Sequence, residues 1–192
     1  GALDDKALVV RVCIVRSMIQ LGPPTTIEGI SAMRKSLLSR LPKGGRTEPD
    51  PALQLWLQAC LIRLDAVTTS IRKEDLGPDA ESIIKAAKGR IDKGMALLAE
   101  KMSDEKLRIT AAECLANLAP GSKSQLPKLL EGLQDDKQEN YGYMSSCLFA
   151  IARIGPDVRA QAEPVVTKLV NHSNPDVKFH AQYALDRLQG KK

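Results

Sequence analysis

Aromatic side chains are scarce in this chain: Trp56, three tyrosines and two phenylalanines make up 3% of 192 residues. Its core has to be assembled from Leu, Ile, Val and Ala, which suits close-packed helices better than a sandwich rich in aromatic and β-branched residues. No run of about eighteen apolar residues occurs, so no membrane-spanning helix is expected. The four cysteines, Cys13, Cys60, Cys114 and Cys147, form no C-x-x-C pair and fit no zinc or disulfide framework. Each lies in an apolar helical run and reads as a small hydrophobe. There is no Gly-rich phosphate loop, nucleophile elbow or metal-ligand helix motif, so no catalytic, cofactor-binding or metal residues are assigned and no cofactor is expected. The Gly44-Gly45 pair in 42–51 lacks a following Lys-Ser/Thr and reads as a flexible loop between repeats.

What is present is ordinary for a folded domain: 43% hydrophobic and 27% charged residues, in a chain long enough to bury a real core. Lys and Arg outnumber Asp and Glu by 28 to 23, a net charge of +5. The signs are mixed along the chain, with no block that would form a basic arm. That balance permits an acidic partner without requiring one. The chain opens Gly1-Ala2-Leu3-Asp4 with neither an initiating Met nor a signal peptide. This reads as a truncated or processed start, which takes any targeting signal with it and leaves the compartment unknown, the cytoplasm being slightly favoured.

Internal repetition is the strongest signal. Segments 105–118, 138–151 and 175–188 superimpose so that Cys114, Cys147 and Ala184 coincide, as do Leu115, Leu148 and Leu185, at steps of 33 and 37 residues. Small or apolar side chains recur at helical spacing in each, the pattern of a helix buried between neighbours. Neighbouring axes in such a stack lie ~8–10 Å apart, beyond the ~7 Å between Cα atoms that a disulfide joining Cys114 to Cys147 would span. A second phrase follows each break. Ala119-Pro120 precedes 125–133 and Gly155-Pro156 precedes 162–170. Proline ends the first helix, and Pro127 and Pro164 are expected in the first turn of the second, where a missing N–H costs little. Asp135 and Asp136, and later 171–174, turn the chain back.

The first half fits more loosely. Helices are expected over 9–21, ending at Gly22-Pro23, then 26–41, 52–67 and 79–102. The third is apolar nearly all round, with Trp56 in its core, and reads as the most buried. The fourth carries Ile84, Ala87, Ile91, Leu98 and Met102 on one stripe. The expected architecture is all-α: a short, right-handed α-solenoid in a single domain, 1–192. It has four helix pairs (4–41, 50–102, 104–134, 137–171) and a terminal helix over 174–189.

The phrase Asn174-Pro175-Asp176-Val177-Lys178, with Ala181, Ala184 and Leu185 after it, resembles a HEAT repeat, as does the Gly155-Pro156 phrase leading to Pro164-Val165-Val166. The likeness is closest to the bacterial HEAT-like repeats of phycobilin lyases and scaffold proteins. It covers 104–189 well and 4–102 in outline. The usual Val-Arg pair appears as Leu107-Arg108, Asn140-Tyr141 and Val177-Lys178. The resemblance implies architecture strongly and function weakly. A di-iron hydroxylase of this fold needs several His-Glu pairs, whereas His172 precedes Ser173 and His180 precedes Ala181. An iron–sulfur reductase needs clustered cysteines.

The expected function is a non-catalytic protein-binding or scaffolding module. A nucleic-acid-binding solenoid acting through a basic surface is the alternative. A chromophore-lyase-like subunit rests on the resemblance alone. Departures from the repeat are where a partner is sought: the loop 42–51, the insertion 68–75 with Arg72 and Lys73, and the aromatics Tyr141 and Tyr143 around Gly142. Lys85, Lys88 and Lys93 add a basic stripe on the long helix, partly offset by expected Glu81–Lys85 and Lys88–Asp92 pairs. Tyr141 is the foremost candidate for an exposed contact.

Overall fold

The structure, a computed structural model, describes residue 3 and residues 7–22, 24–42, 48–134 and 137–191, with Gln20 described by its backbone alone. The expected loop residues 43–47 and the turn residues Asp135 and Asp136 lie outside that set. Among the described residues all regular structure is helical: α1 (Leu8–Leu21), α2 (Ile27–Leu38), α3 (Pro51–Ser70), α4 (Lys73–Leu76), α5 (Ala80–Lys101), α6 (Arg108–Asn117), α7 (Leu126–Glu131), α8 (Tyr141–Ile154), α9 (Arg159–Val166) and α10 (Pro175–Leu188), with short 3-10 turns between. The chain forms two compact units, Gly1–Ala96 and Leu97–Lys192, the division falling within α5.

In the first unit α3 is the hub, with α1 and α2 both packed on it. Its start is specified locally. Asp50 accepts the Leu53 amide hydrogen at 2.7 Å and Pro51 occupies the first helical turn, an N-cap and a preset φ in sequence. Leu53, Leu55, Trp56, Leu57, Leu61 and Leu64 are all buried, as expected of a helix that is apolar all round. The insertion 68–75, which lengthens the link to the long helix, is mostly helical. The last turn of α3 runs on to Ser70, and Lys73–Leu76 closes one further turn. Gly77 then stops the chain at φ 79°, ψ −164°, a region open essentially to glycine alone. In α5, Gly94 lets α3 approach: a Cβ there would lie 2.7 Å from the Ile62 side chain.

The second unit is a short α-solenoid. First helices α6, α8 and α10 stack in order, with α7 packed on α8 and α9 on α10. Ala111, Ala112, Cys114, Cys147, Ala150, Ala181 and Ala184 are buried on the facing sides, so small side chains permit the close approach. Asn174 caps α10, its Oδ1 accepting from the amides of Asp176 at 3.0 Å and Val177 at 3.1 Å.

Two local expectations are corrected. Pro127 does sit in the first turn of α7, but Pro164 lies inside α9. That helix starts early at Arg159, where Arg159 Nε donates to Glu163 Oε2 at 2.7 Å across one turn, so the proline falls one turn too late. Cys60, Cys114 and Cys147 are buried as small hydrophobes, whereas Cys13 is exposed. It occupies the outer side of α1, whose buried face carries Val15 and Ile19.

Candidate binding pocket

A charged residue in the middle of an apolar helix must find partners or remain outside the core. Asp65 of α3 is 3% exposed and has two partners. Arg34 of α2 donates from Nη2 to Asp65 Oδ1 at 2.5 Å and from Nη1 to Oδ2 at 3.3 Å. Arg90 of α5 donates from Nη2 to Oδ1 at 2.7 Å and from Nε to both oxygens at 3.1 and 3.2 Å. One buried carboxylate thus ties three helices together. Two guanidinium groups share one acid, which leaves one positive charge in excess.

Beside this cluster lies a pocket of about 190 Å3, its apolar wall made by Ile27, Ile30, Ile71, Leu76 and Ile83. Ser31, Thr68, Arg34 and Arg90 complete the lining. The Thr68 hydroxyl is spent inside the helix, donating to the Leu64 carbonyl at 2.8 Å, which leaves Ser31 and the two arginines as the polar part of the lining. The irregular α4 turn contributes Leu76 to the wall. Of the insertion 68–75, Thr68 and Ile71 line the pocket.

A second buried acid, Glu48, is 3% exposed and braces the same unit. Arg11 donates to it from Nε and Nη2, both at 2.9 Å, and the Asp50 amide donates at 3.1 Å. Burial alone would push the Glu48 carboxyl up. The bonds from Arg11 and Asp50, with the charges of Arg11 and Arg40, outweigh it and hold the group below the usual carboxylate range.

The residues singled out from the sequence are not brought together. Arg72 and Lys73 are exposed on α4, and each already has an acid: Arg72 Nε meets Asp75 Oδ2 at 2.9 Å, and Lys73 Nζ meets Glu81 Oε1 at 3.0 Å. Glu81 is thus paired with Lys73 rather than with the expected Lys85, because α4 folds back against the start of α5. Lys85, Lys88 and Lys93 are exposed along α5 and line no part of the pocket. Tyr141 is half-buried, its ring meeting that of His172 edge-on at 5.0 Å. Tyr143 is corrected outright: it is 6% exposed, so its ring offers no contact surface. Gly132, the residue that caps the end of α7, leaves the space it fills, and the Arg108 guanidinium lies 5.2 Å over the ring while bonding Asn140. Burial, then its interaction with Cys147, pushes the Tyr143 phenol well above its usual range.

Burial acts in the same way on two of the buried thiols. Burial pushes Cys60 and Cys147 each up to about 12, and the reactive species is the thiolate. No group of three or more His, Cys, Asp or Glu residues able to hold a metal ion occurs among the described residues. None of their helices is long and apolar enough to cross a membrane.

Sequence reasoning overlooked Arg34, Asp65 and Arg90. Asp65 was the available signal, as an acid within the apolar run 52–67. Its partners, 31 and 25 residues away, left none.

No family model and no curated protein matches the chain. Among solved structures, a designed armadillo repeat protein in complex with the peptide (KR)4 is similar at 16% identity and a TM-score of 0.46, over 97% of this chain and 96% of that one. A second designed armadillo repeat protein is similar at 17% identity and a TM-score of 0.42, over 97% of both chains.

Proposed function

We propose that this chain is a non-catalytic protein-binding module of HEAT-like character, one array of four helix pairs and a terminal helix, whose partner docks at the pocket of the first unit. The observation that carries the reading is the pairing of an aliphatic wall with an arginine pair that retains positive charge. Apolar lining with a few placed polar groups is the usual make-up of a binding site, and arginine is favoured where partners meet. The protein is immobilised and a displayed peptide library is selected against it. Selected peptides are expected to bind in solution, and Ile83→Glu, which places an acid in the pocket wall, is expected to abolish binding while the helical spectrum is unchanged. Peptides that bind the variant as well as the parent would place the contact elsewhere.

Nucleic-acid binding through phosphate contacts remains the second reading, favoured by the exposure of Lys85, Lys88 and Lys93. It predicts a salt-dependent mobility shift with duplex DNA or RNA. Absence of a shift at low salt removes it.

A further inference from the structure

The pocket's size and charge together restrict its occupant. Its volume of about 190 Å3 is below the ~300–1,000 Å3 typical of sites that enclose a whole small ligand. It matches one large aliphatic residue. Five aliphatic side chains form the wall, so that residue presents a branched apolar group to Ile30, Ile71 and Ile83.

The charge sets the second condition. Each guanidinium carries five N–H donors and stays protonated. Asp65 engages Nη1 and Nη2 of Arg34 and Nε and Nη2 of Arg90. Arg90 Nη1 has no partner among the described residues, and the Arg90 side chain is 47% exposed. A donor edge beside a surplus positive charge is suited to a carboxylate.

An internal Asp or Glu of a partner supplies the carboxylate, but only a short stem for the aliphatic wall. An internal Leu or Ile supplies the side chain and no charge. A C-terminal aliphatic residue supplies both from one Cα, within the space available. Capture of a terminal carboxylate is also a recurring mode of peptide recognition.

We propose that the pocket binds the C-terminus of a partner protein that ends in Leu, Ile or Val, with the aliphatic side chain against Ile30, Ile71 and Ile83 and the terminal carboxylate on Arg90. Arg34 and Asp65 act as positioning residues that hold the Arg90 fork in place. This inference rests on the protein-binding reading above and specifies its partner.

The test uses fluorescein-labelled peptides with a Gly-Ser spacer ending in Leu, Ile or Val, each made as the free acid and as the C-terminal amide. A control set ends in Gly amide and carries an internal Leu-Glu pair. Fluorescence anisotropy against the whole chain is expected to show the free acids binding at least about tenfold more tightly than their amides, a gap that narrows as salt is raised. Arg90→Gln leaves Asp65 paired with Arg34. It is expected to bring the free acids down to the amide level without altering the helical spectrum. Equal binding of acid and amide, with loss in Ile83→Glu, overturns the C-terminal inference and leaves the protein-binding reading standing. Preferential binding of the internal Leu-Glu peptides does the same. If no peptide binds the folded chain, both fall.

Discussion

The two compact units solve the same packing problem with different chemistry. In the second, helices α6, α8 and α10 are packed with buried alanines and cysteines, Gly132 at the end of α7 makes room against α8, and the buried polar residues Ser122, Asn140 and Ser145 are uncharged. In the first, helices α2, α3 and α5 are joined by a buried carboxylate between two arginines, with a second buried acid braced on α1. Small side chains leave no room between helices. In the first unit the pocket lies beside the charged cluster, with Arg34 and Arg90 in its lining.

That contrast is broken most strongly at Asp65. Asp65→Ala leaves two guanidinium groups without their shared acid, which is expected to destabilise the first unit by roughly 3–5 kcal/mol. Hydrogen exchange followed by mass spectrometry checks it: protection should fall in α2, α3 and the N-terminal part of α5, and persist in α8 and α10. Uniform loss across both units would mean that they unfold as one body.

Glu48 gives the next largest effect, and one that depends on pH. Its carboxyl is held below its ordinary range in the fold, so the unfolded chain takes up its proton first as pH falls. The associated stability is present above about pH 4.3, the ordinary glutamate value, and is lost as pH drops through the lower folded value. Glu48→Gln is expected to cost about 1.5–3 kcal/mol at neutral pH. The cost should shrink in urea melts repeated at progressively lower pH. A cost that does not change with pH would assign the contribution of Glu48 to shape rather than charge.

The smallest effect sharpens the other side of the comparison. At Gly132 a Cβ would stand 2.7 Å from Cys147 Sγ and 2.9 Å from the Tyr143 ring, and both side chains are enclosed. Gly132→Ala is expected to destabilise the second unit by about 1–3 kcal/mol through overpacking, read as a lower thermal midpoint. Cys147→Ala in the same chain should recover part of the loss, since it removes the sulfur the new methyl strikes.

The sequence alone determined the helical class, the near-repeat of the second half and most helix starts. Those features depend on short-range patterns: 3.6-residue periodicity, prolines after breaks, and caps such as Asp50 and Asn174 that bond amides two or three residues on. The same local logic misplaced Pro164, because the Arg159–Glu163 pair lies within a helix that begins earlier than the repeat suggests. It also counted Tyr143 among the candidate contact residues, since aromatics flanking a helical glycine carry no mark of which way they face. Only the tertiary structure decided the pocket. Arg34, Asp65 and Arg90 come from three separate helices, and their meeting depends on how α2 and α5 are seated on α3. A buried acid announces that it needs a partner, but the partner is chosen by packing across the chain, which no local pattern encodes.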